Sequence, residues 1–198
     1  MYIPKHFQWQ ETEEIRNFLH TYPFATLVVA ENQIPTASHL PFLLEGETLI
    51  THLSKVNPHA KVQHEQPALV IFQTPHAYIS PTLYDSTPNV PTWNYLAVHV
   101  YGKIQLVEES EAKKAILEKL MPYFEPNYRT WWDKMPEKYL QGMLNGMTGM
   151  TISIEKVEAK AKMSQNKTLS SRENVKEYLA KHSDAAAQTM AEWMEKLG

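Results

Sequence analysis

The sequence predicts a mainly β protein: a compact antiparallel barrel with helices wrapped around it and a helical annex at its C-terminus. Two patterns carry that expectation. Short apolar runs rich in β-branched residues recur between turn-forming residues as far as Val107, and beyond Glu109 the apolar period becomes helical. Of the 198 residues, 43% are hydrophobic and 21% charged, the balance of a folded chain. A barrel domain over residues 1–160 and an annex over residues 161–198 are expected.

The first element reads as a helix over residues 12–20, with Thr12 as its cap and Ile15, Phe18 and Leu19 on one face. Pro23 ends it, and residues 24–30 follow as a strand. Residues 36–44 and 48–53 read as two strands joined across Glu45-Gly46-Glu47, where Gly46 supplies a permissive backbone. Asn57-Pro58 marks a short helix start, with Asn as cap and Pro at the first helical position. Residues 68–73 form a further apolar strand, which residues 76–79 continue. Pro81, Pro88 and Pro91 make residues 80–92 a surface loop. A long strand then covers residues 93–107, with Gly102 as a bulge or bend.

Residues 109–124 read as a helix with Ala112, Ile116, Leu117, Leu120 and Met121 on one face, and residues 136–144 as a second helical piece. Gly142, Gly146 and Gly149 precede a final strand over residues 150–157. In the tail, Ser170-Ser171-Arg172-Glu173 has the form of a capping box, and another helix runs from about Asp184.

Several function classes are excluded or disfavoured. Cysteine is absent, which removes disulfides, thiolate chemistry and Cys-ligated metal. The net charge of -3 offers no global basic field for coating nucleic acid. No secretory leader and no membrane-length apolar run is present, so a soluble protein without membrane association and a cytoplasmic location are expected. There is no G-x-S-x-G elbow and no glycine-rich phosphate loop, so a hydrolase is not expected and no catalytic residue is assigned.

Three constellations remain. Residues 51–59 run from a strand into a helix start, with Ser54 and Lys55 just upstream of Asn57. Amide groups at such a terminus favour an anion, so the segment reads either as a phosphate cradle or as a plain cap beside a solvated lysine. Ser38 and His39 fall on opposite faces of their strand, and pairing with residues 48–53 would bring His39 near His52. No third ligand stands at a suitable spacing, so no metal is expected. Trp93 and Asn94, after the proline-rich loop, suit either a pocket for a planar heterocycle or a loop anchor. The terminal helices have helix-turn-helix length, yet the second carries Asp184, Glu192 and Glu195 against Lys196. The basic stretch lies earlier, where Lys156, Lys160, Lys162, Lys167, Arg172 and Lys176 face only Glu158 and Glu173. It reads as a phosphate-contacting patch or as a solvated surface.

Taken together, Ser38-His39-Leu40-Pro41, Asn57-Pro58, His76-Ala77-Tyr78-Ile79-Ser80-Pro81, Val90-Pro91-Thr92-Trp93-Asn94-Tyr95, Val98-His99 and Lys162-Met163-Ser164-Gln165-Asn166 resemble the PaiB family, in order and over nearly the whole chain. The opening Met1-Tyr2-Ile3-Pro4 fits as well. The resemblance implies a bacterial negative transcriptional regulator, a repressor linked to protease production and sporulation. It also implies a split β-barrel of the FMN-binding class, a homodimer and FMN sites at the subunit interface. On that resemblance Ser38, His39 and Leu40 border the isoalloxazine, while His52, Ser54, Lys55 and Asn57 lie toward the phosphate. Trp93 and Asn94 close the pocket. Lys55 and Lys167 stand where the family tends to carry arginine, and Leu83 where it tends to carry tryptophan. DNA is an expected partner of such a regulator, although no contact surface is identifiable in the sequence. Related split barrels supply the alternative of a flavin-dependent oxidoreductase and, more distantly, a haem binder using His39, His52, His76 or His99.

Overall fold

The computed structural model describes residues 1–197. In chain order its elements are α1 (Thr12–Thr21), β1 (Phe24–Glu31), β2 (Ile34–Pro41), β3 (Leu43–Glu45), β4 (Thr48–Ser54), β5 (Gln66–Ile79) and β6 (Thr92–Val107). There follow α2 (Ser110–Phe124), α3 (Arg129–Trp132), α4 (Glu137–Gly146), β7 (Met147–Lys162), α5 (Leu169–Ala180) and α6 (Ala185–Lys196). The strands form one sheet in the order β2-β1-β5-β6-β7-β4-β3, so the class is mainly β with α additions, as the sequence predicts. The chain divides into two compact units, neither continuous in sequence: residues 1–15, 72–99 and 158 onward, and residues 16–71 with 100–157.

In the unit built from residues 16–71 and 100–157, β1 and β2 form a hairpin whose two-residue loop is Asn32-Gln33. Both residues take the left-handed conformation, φ 51° and 67°, which matches the twist of the flanking strands. The single strand expected over residues 36–44 is two strands. It breaks at Phe42, whose ring is buried and whose N–H donates to the carbonyl of Pro23 at 2.8 Å. Hence β2 pairs with β1, while only residues 43–45 form the hairpin with β4 across Gly46. Gly46 has φ 57°, the freedom the sequence anticipates there. Thr51 Oγ1 then donates to the carbonyl of Pro41 at 2.6 Å, returning the end of β2 to β4.

Helix α2 packs Ile116 and Leu120 over Ile50 of β4. Glu109 caps it by accepting from the N–H groups of Glu111 and Ala112. Lys113 is buried on this helix and donates to the carbonyls of Leu144 and Met147, satisfying groups that the end of α4 leaves open. Gly149 lies beneath Ile116, whose Cδ1 would stand 2.6 Å from an added Cβ. Gly102 is required for close approach, not for a bulge: a Cβ there would meet the Ser153 carbonyl oxygen at 2.2 Å.

In the other unit, the N-terminal segment is pinned to β7 by the Gln8–Lys160 bridge and by Trp9 N–H to the carbonyl of Ala159 at 3.2 Å. Helices α5 and α6 bury Val175, Leu179, Met190, Ala191 and Met194. The start of α5 is capped by Thr168, whose hydroxyl accepts from Ser171 N–H, two residues before Ser170, the cap that the Ser170–Glu173 pattern assigns. Asp184 caps α6, which begins about where the sequence starts its last helix.

Two glycines make opposite predictions in denaturant unfolding. Gly102→Ala should destabilise the protein by about 1–3 kcal/mol or more, because backbone cannot yield to the new methyl. Gly142→Ala, in the interior of α4 with open space around it, should stabilise by about 1 kcal/mol. Equal effects at both sites would show that the close approach at Gly102 is not rigid.

Candidate functional site

The edge strand β2 and the turn after β4 form the first cluster. Ser38 and His39 point to opposite faces, as strand alternation requires. Ser38 faces the turn, where Asn57 Nδ2 donates to its hydroxyl at 3.0 Å. Two residues away Thr36 Oγ1 meets His59 Nε2 at 2.8 Å, so two side-chain hydrogen bonds join β2 to the turn. His39 lies on the other face, with Nδ1 3.0 Å from Thr26 Oγ1 and its ring stacked at 6.5 Å on the exposed Phe24. Leu40 pairs with Ala25 and is half-buried on the Ser38 side.

The helix expected at Asn57 is a single 3-10 turn, Pro58–Lys61. Its cap is as predicted: Asn57 Oδ1 accepts from His59 N–H at 2.9 Å. The amides that were to hold an anion are used within the chain. Lys55 N–H reaches the Gly146 carbonyl, Asn57 N–H that of Ser54, and Ala60 N–H that of Asn57, while Pro58 has no N–H. What this segment presents to solvent is the Ser54 hydroxyl and the Lys55 ammonium, both exposed, and Lys55 makes no ion pair among the described residues.

His52 pairs with Gly149 of β7, whereas His39 pairs with Thr26 of β1, so the conditional His39–His52 approach does not form. It required β2 to pair with β4, and the break at Phe42 prevents that. Burial holds the His52 and His59 imidazoles below the usual histidine pKa, with the Glu31 carboxylate partly opposing it at His59. The Nδ1 atoms of both are buried without a hydrogen-bond partner.

Trp93 and Asn94 lie in the other unit and, as neighbours on β6, face opposite ways. Trp93 is 53% exposed and packs against His76 and Tyr78, with ring centroids 5.8 and 5.9 Å away. Asn94 is fully buried, its amide facing the Ser164 hydroxyl with both atoms at 3.2 Å. They therefore cannot wall one pocket of a single chain from the same side.

The Lys162–Asn166 motif, to which the sequence assigned no contact, lines a cavity of about 190 Å3 together with Thr92, Asn94 and Lys167. Its Ser164 takes a left-handed φ of 62°. Gln165 staples the turn by accepting from Met163 N–H at 2.7 Å and donating to the Ala161 carbonyl at 2.6 Å.

The basic stretch is not a free surface. Lys160 is buried, donating to the Tyr2 carbonyl and lying 5.1 Å over the Tyr95 ring. Lys162 donates to Thr92 Oγ1 and to the Trp93 carbonyl, and Lys167 to Asn89 Oδ1. Lys176 is paired with Glu173 and Glu195. Apart from Glu173, these acceptors are far away in sequence or are backbone carbonyls, so a charge count along the chain does not reveal them.

Residues 1–156 match the family model described as "Putative FMN-binding domain". The chain is 38% identical over 201 aligned residues to the Bacillus subtilis "Protease synthase and sporulation protein PAI 2", covering 98% of this chain and 97% of that protein. Among solved structures it resembles the FAD and haem binding protein of Mycobacterium smegmatis, with a TM-score of 0.63, 20% identity and coverage of 78% of this chain and 73% of the other. It also resembles the flavocytochrome Anf3 of Azotobacter vinelandii, with a TM-score of 0.64, 16% identity and coverage of 81% and 72%. At these identities the structural likeness establishes the fold, a split barrel.

The buried histidines set a pH dependence. Their folded-state pKa values lie below the unfolded value, so the unfolded chain binds more protons as pH falls. Their stabilising contribution is complete above about pH 6.5 and is lost as pH drops from there toward the folded values. The thermal midpoint should therefore decline from pH 7 to pH 5, and His59→Gln should make the decline shallower. An unchanged slope in that variant would remove His59 as a source.

Proposed function

The chain belongs to the FMN-binding-domain family that includes the PaiB proteins, and from that premise we propose that it is a homodimeric, flavin-binding negative regulator of gene expression. The carrying observation is its 38% identity, over nearly the full length, to the protease synthase and sporulation protein of Bacillus subtilis. FMN is the proposed cofactor, and protease production and sporulation are the proposed processes.

The residues present suit the phosphate end of a flavin nucleotide. Lys55 supplies an unpaired ammonium, Ser54 a hydroxyl, and the Ser38–Asn57 pair fixes the neighbouring edge of β2. Lysine holds phosphate as a point charge, without the bidentate fork that an arginine would bring. The ring end needs a second wall. Along residues 34–37 and at His39 strand β2 is exposed, with a strand neighbour on its β1 side only, and Ile34 and Phe24 stand open to solvent. A second copy seated on this edge would cover those groups and complete the site. We place Ser38, Leu40, Ser54, Lys55 and Asn57 toward the ligand within one chain. His39, His52, Trp93 and Asn94 serve it only through the partner copy or through packing.

Regulation is proposed to run through a protein partner, not through direct contact with DNA. Helix α6 is acidic on its exposed positions, and the lysines of the basic stretch are already engaged. A second reading, a flavin-dependent oxidoreductase, is favoured by the likeness to a flavocytochrome. Bound flavin would supply hydride and electron transfer, so the lack of an acid–base pair does not oppose it. No helix among the described residues is long and apolar enough to cross a membrane, and we propose the cytoplasm as the location.

Lys55→Ala should weaken FMN binding by about 1–3 kcal/mol, roughly fivefold to 150-fold, in a fluorescence titration. Unchanged titration curves would place Lys55 outside the site. In gel shifts across a salt series, the FMN-loaded protein alone should leave promoter fragments unshifted. A shift that weakens steeply with salt would mean direct repression. Bleaching of the flavin by a nicotinamide cofactor, reversed by air, would instead support the oxidoreductase.

A further inference from the structure

We infer that the cavity beneath the Lys162–Lys167 segment is a second ligand site, separate from the flavin site, that binds a small organic anion: a carboxylate or phosphate head on a compact apolar body. The cavity lies within one unit and measures about 190 Å3, roughly the liquid volume of six water molecules. That is below the usual range for a cofactor or drug-sized ligand, about 300–1,000 Å3, and favours a small ligand.

Its charge is uncompensated. Lys162 and Lys167 both line it, and neither makes an ion pair among the described residues. Each is held by neutral acceptors, Lys162 by the Thr92 hydroxyl and the Trp93 carbonyl, Lys167 by the Asn89 amide and the face of the Tyr84 ring at 4.6 Å. An ammonium has three N–H donors, so one remains on Lys162 and two on Lys167. The nearby carboxylate is committed elsewhere: Asp85 accepts from the hydroxyls of Thr168 and Ser171 at the start of α5. Burial disfavours the charged form of Lys162, and the neighbouring Lys160 adds to it. An anion between the two ammonium groups would relieve both effects.

The site is also built in advance. Ser164 keeps its left-handed backbone because its buried hydroxyl faces Asn94 and stands 3.4 Å from the Tyr84 hydroxyl. Strained positions of this kind persist only where the surroundings hold them, and they gather at ligand sites. Asn166 sits at the mouth with its amide unpartnered. Phe7, Tyr84 and Val90 supply the apolar part of the lining, with the Phe7 ring 5.9 Å from Lys162 Nζ and the Tyr84 ring 4.6 Å from Lys167 Nζ, which suits an anion with a small hydrophobic part.

The test uses benzoate, its neutral isostere benzamide and inorganic phosphate as probes, with isothermal titration of the full-length protein at low salt. Benzoate should bind most tightly, phosphate more weakly and benzamide at least tenfold more weakly than benzoate. Lys162→Gln and Lys167→Gln should each cut benzoate affinity at least tenfold while leaving the FMN titration unchanged. If Lys162→Gln fails to fold, Lys167→Gln carries the same prediction, since its side chain is held only by Asn89 and a ring face. Benzamide binding as well as benzoate, or benzoate binding that survives both substitutions, would overturn the site. Parallel loss of FMN binding in these variants would overturn its separateness. Loss of FMN binding in Lys55→Ala alone bears only on the flavin site.

Discussion

An edge strand fastened to a turn is the constraint on which the functional reading depends. Strand β2 has a hydrogen-bonded neighbour on one side only, and most of its residues are exposed. What fixes it against the Ser54–His59 segment is a pair of side-chain bonds, Ser38 with Asn57 and Thr36 with His59. Because the same Asn57 caps the following turn, one amide sets both the path of the turn and the position of β2. Loss of that amide would free the exposed lysine and hydroxyl that approach from the end of β4.

The other unit uses its polar residues differently. Its lysines are drawn inward or across aromatic faces, and its hydroxyls and amides close on one another around Ser164. A stretch that looks like a phosphate-tracking patch in the sequence becomes a set of struts with charge left over at one cavity. The distinction matters for function. A solvated basic face invites a polyanion, whereas two half-buried ammonium groups in a small pocket select a small one.

Most of the fold was legible in the sequence because its strands and helices are strongly periodic and well punctuated. Gly46 announced its hairpin and Asn57 its cap. The Asn32-Gln33 turn was harder to see because it holds left-handed backbone without glycine, so the pairing of β1 with β2 went unread, and the break at Phe42, inside an apolar run, joined β2 to β3 and gave β2 the wrong partner. Gly102 looked like a bend because a close approach by Ser153 leaves no mark nearby in sequence. At the candidate site, the spacing of Ser54, Lys55 and Asn57 exposed the turn but not the internal fate of its amides. The opposite facing of Trp93 and Asn94 follows from strand alternation alone.

The proposed flavin site has a cation and a hydroxyl at the end of β4 and exposed apolar groups at Ile34 on β2 and Phe24 on β1, and on the proposed reading these form one side of a pocket. The central claim is that a second copy completes it. Light scattering coupled to size-exclusion chromatography, on protein saturated with FMN, measures this most directly. A flavin-carrying species of twice the 22.9 kDa chain mass is the expected result. A flavin-carrying monomer would contradict it.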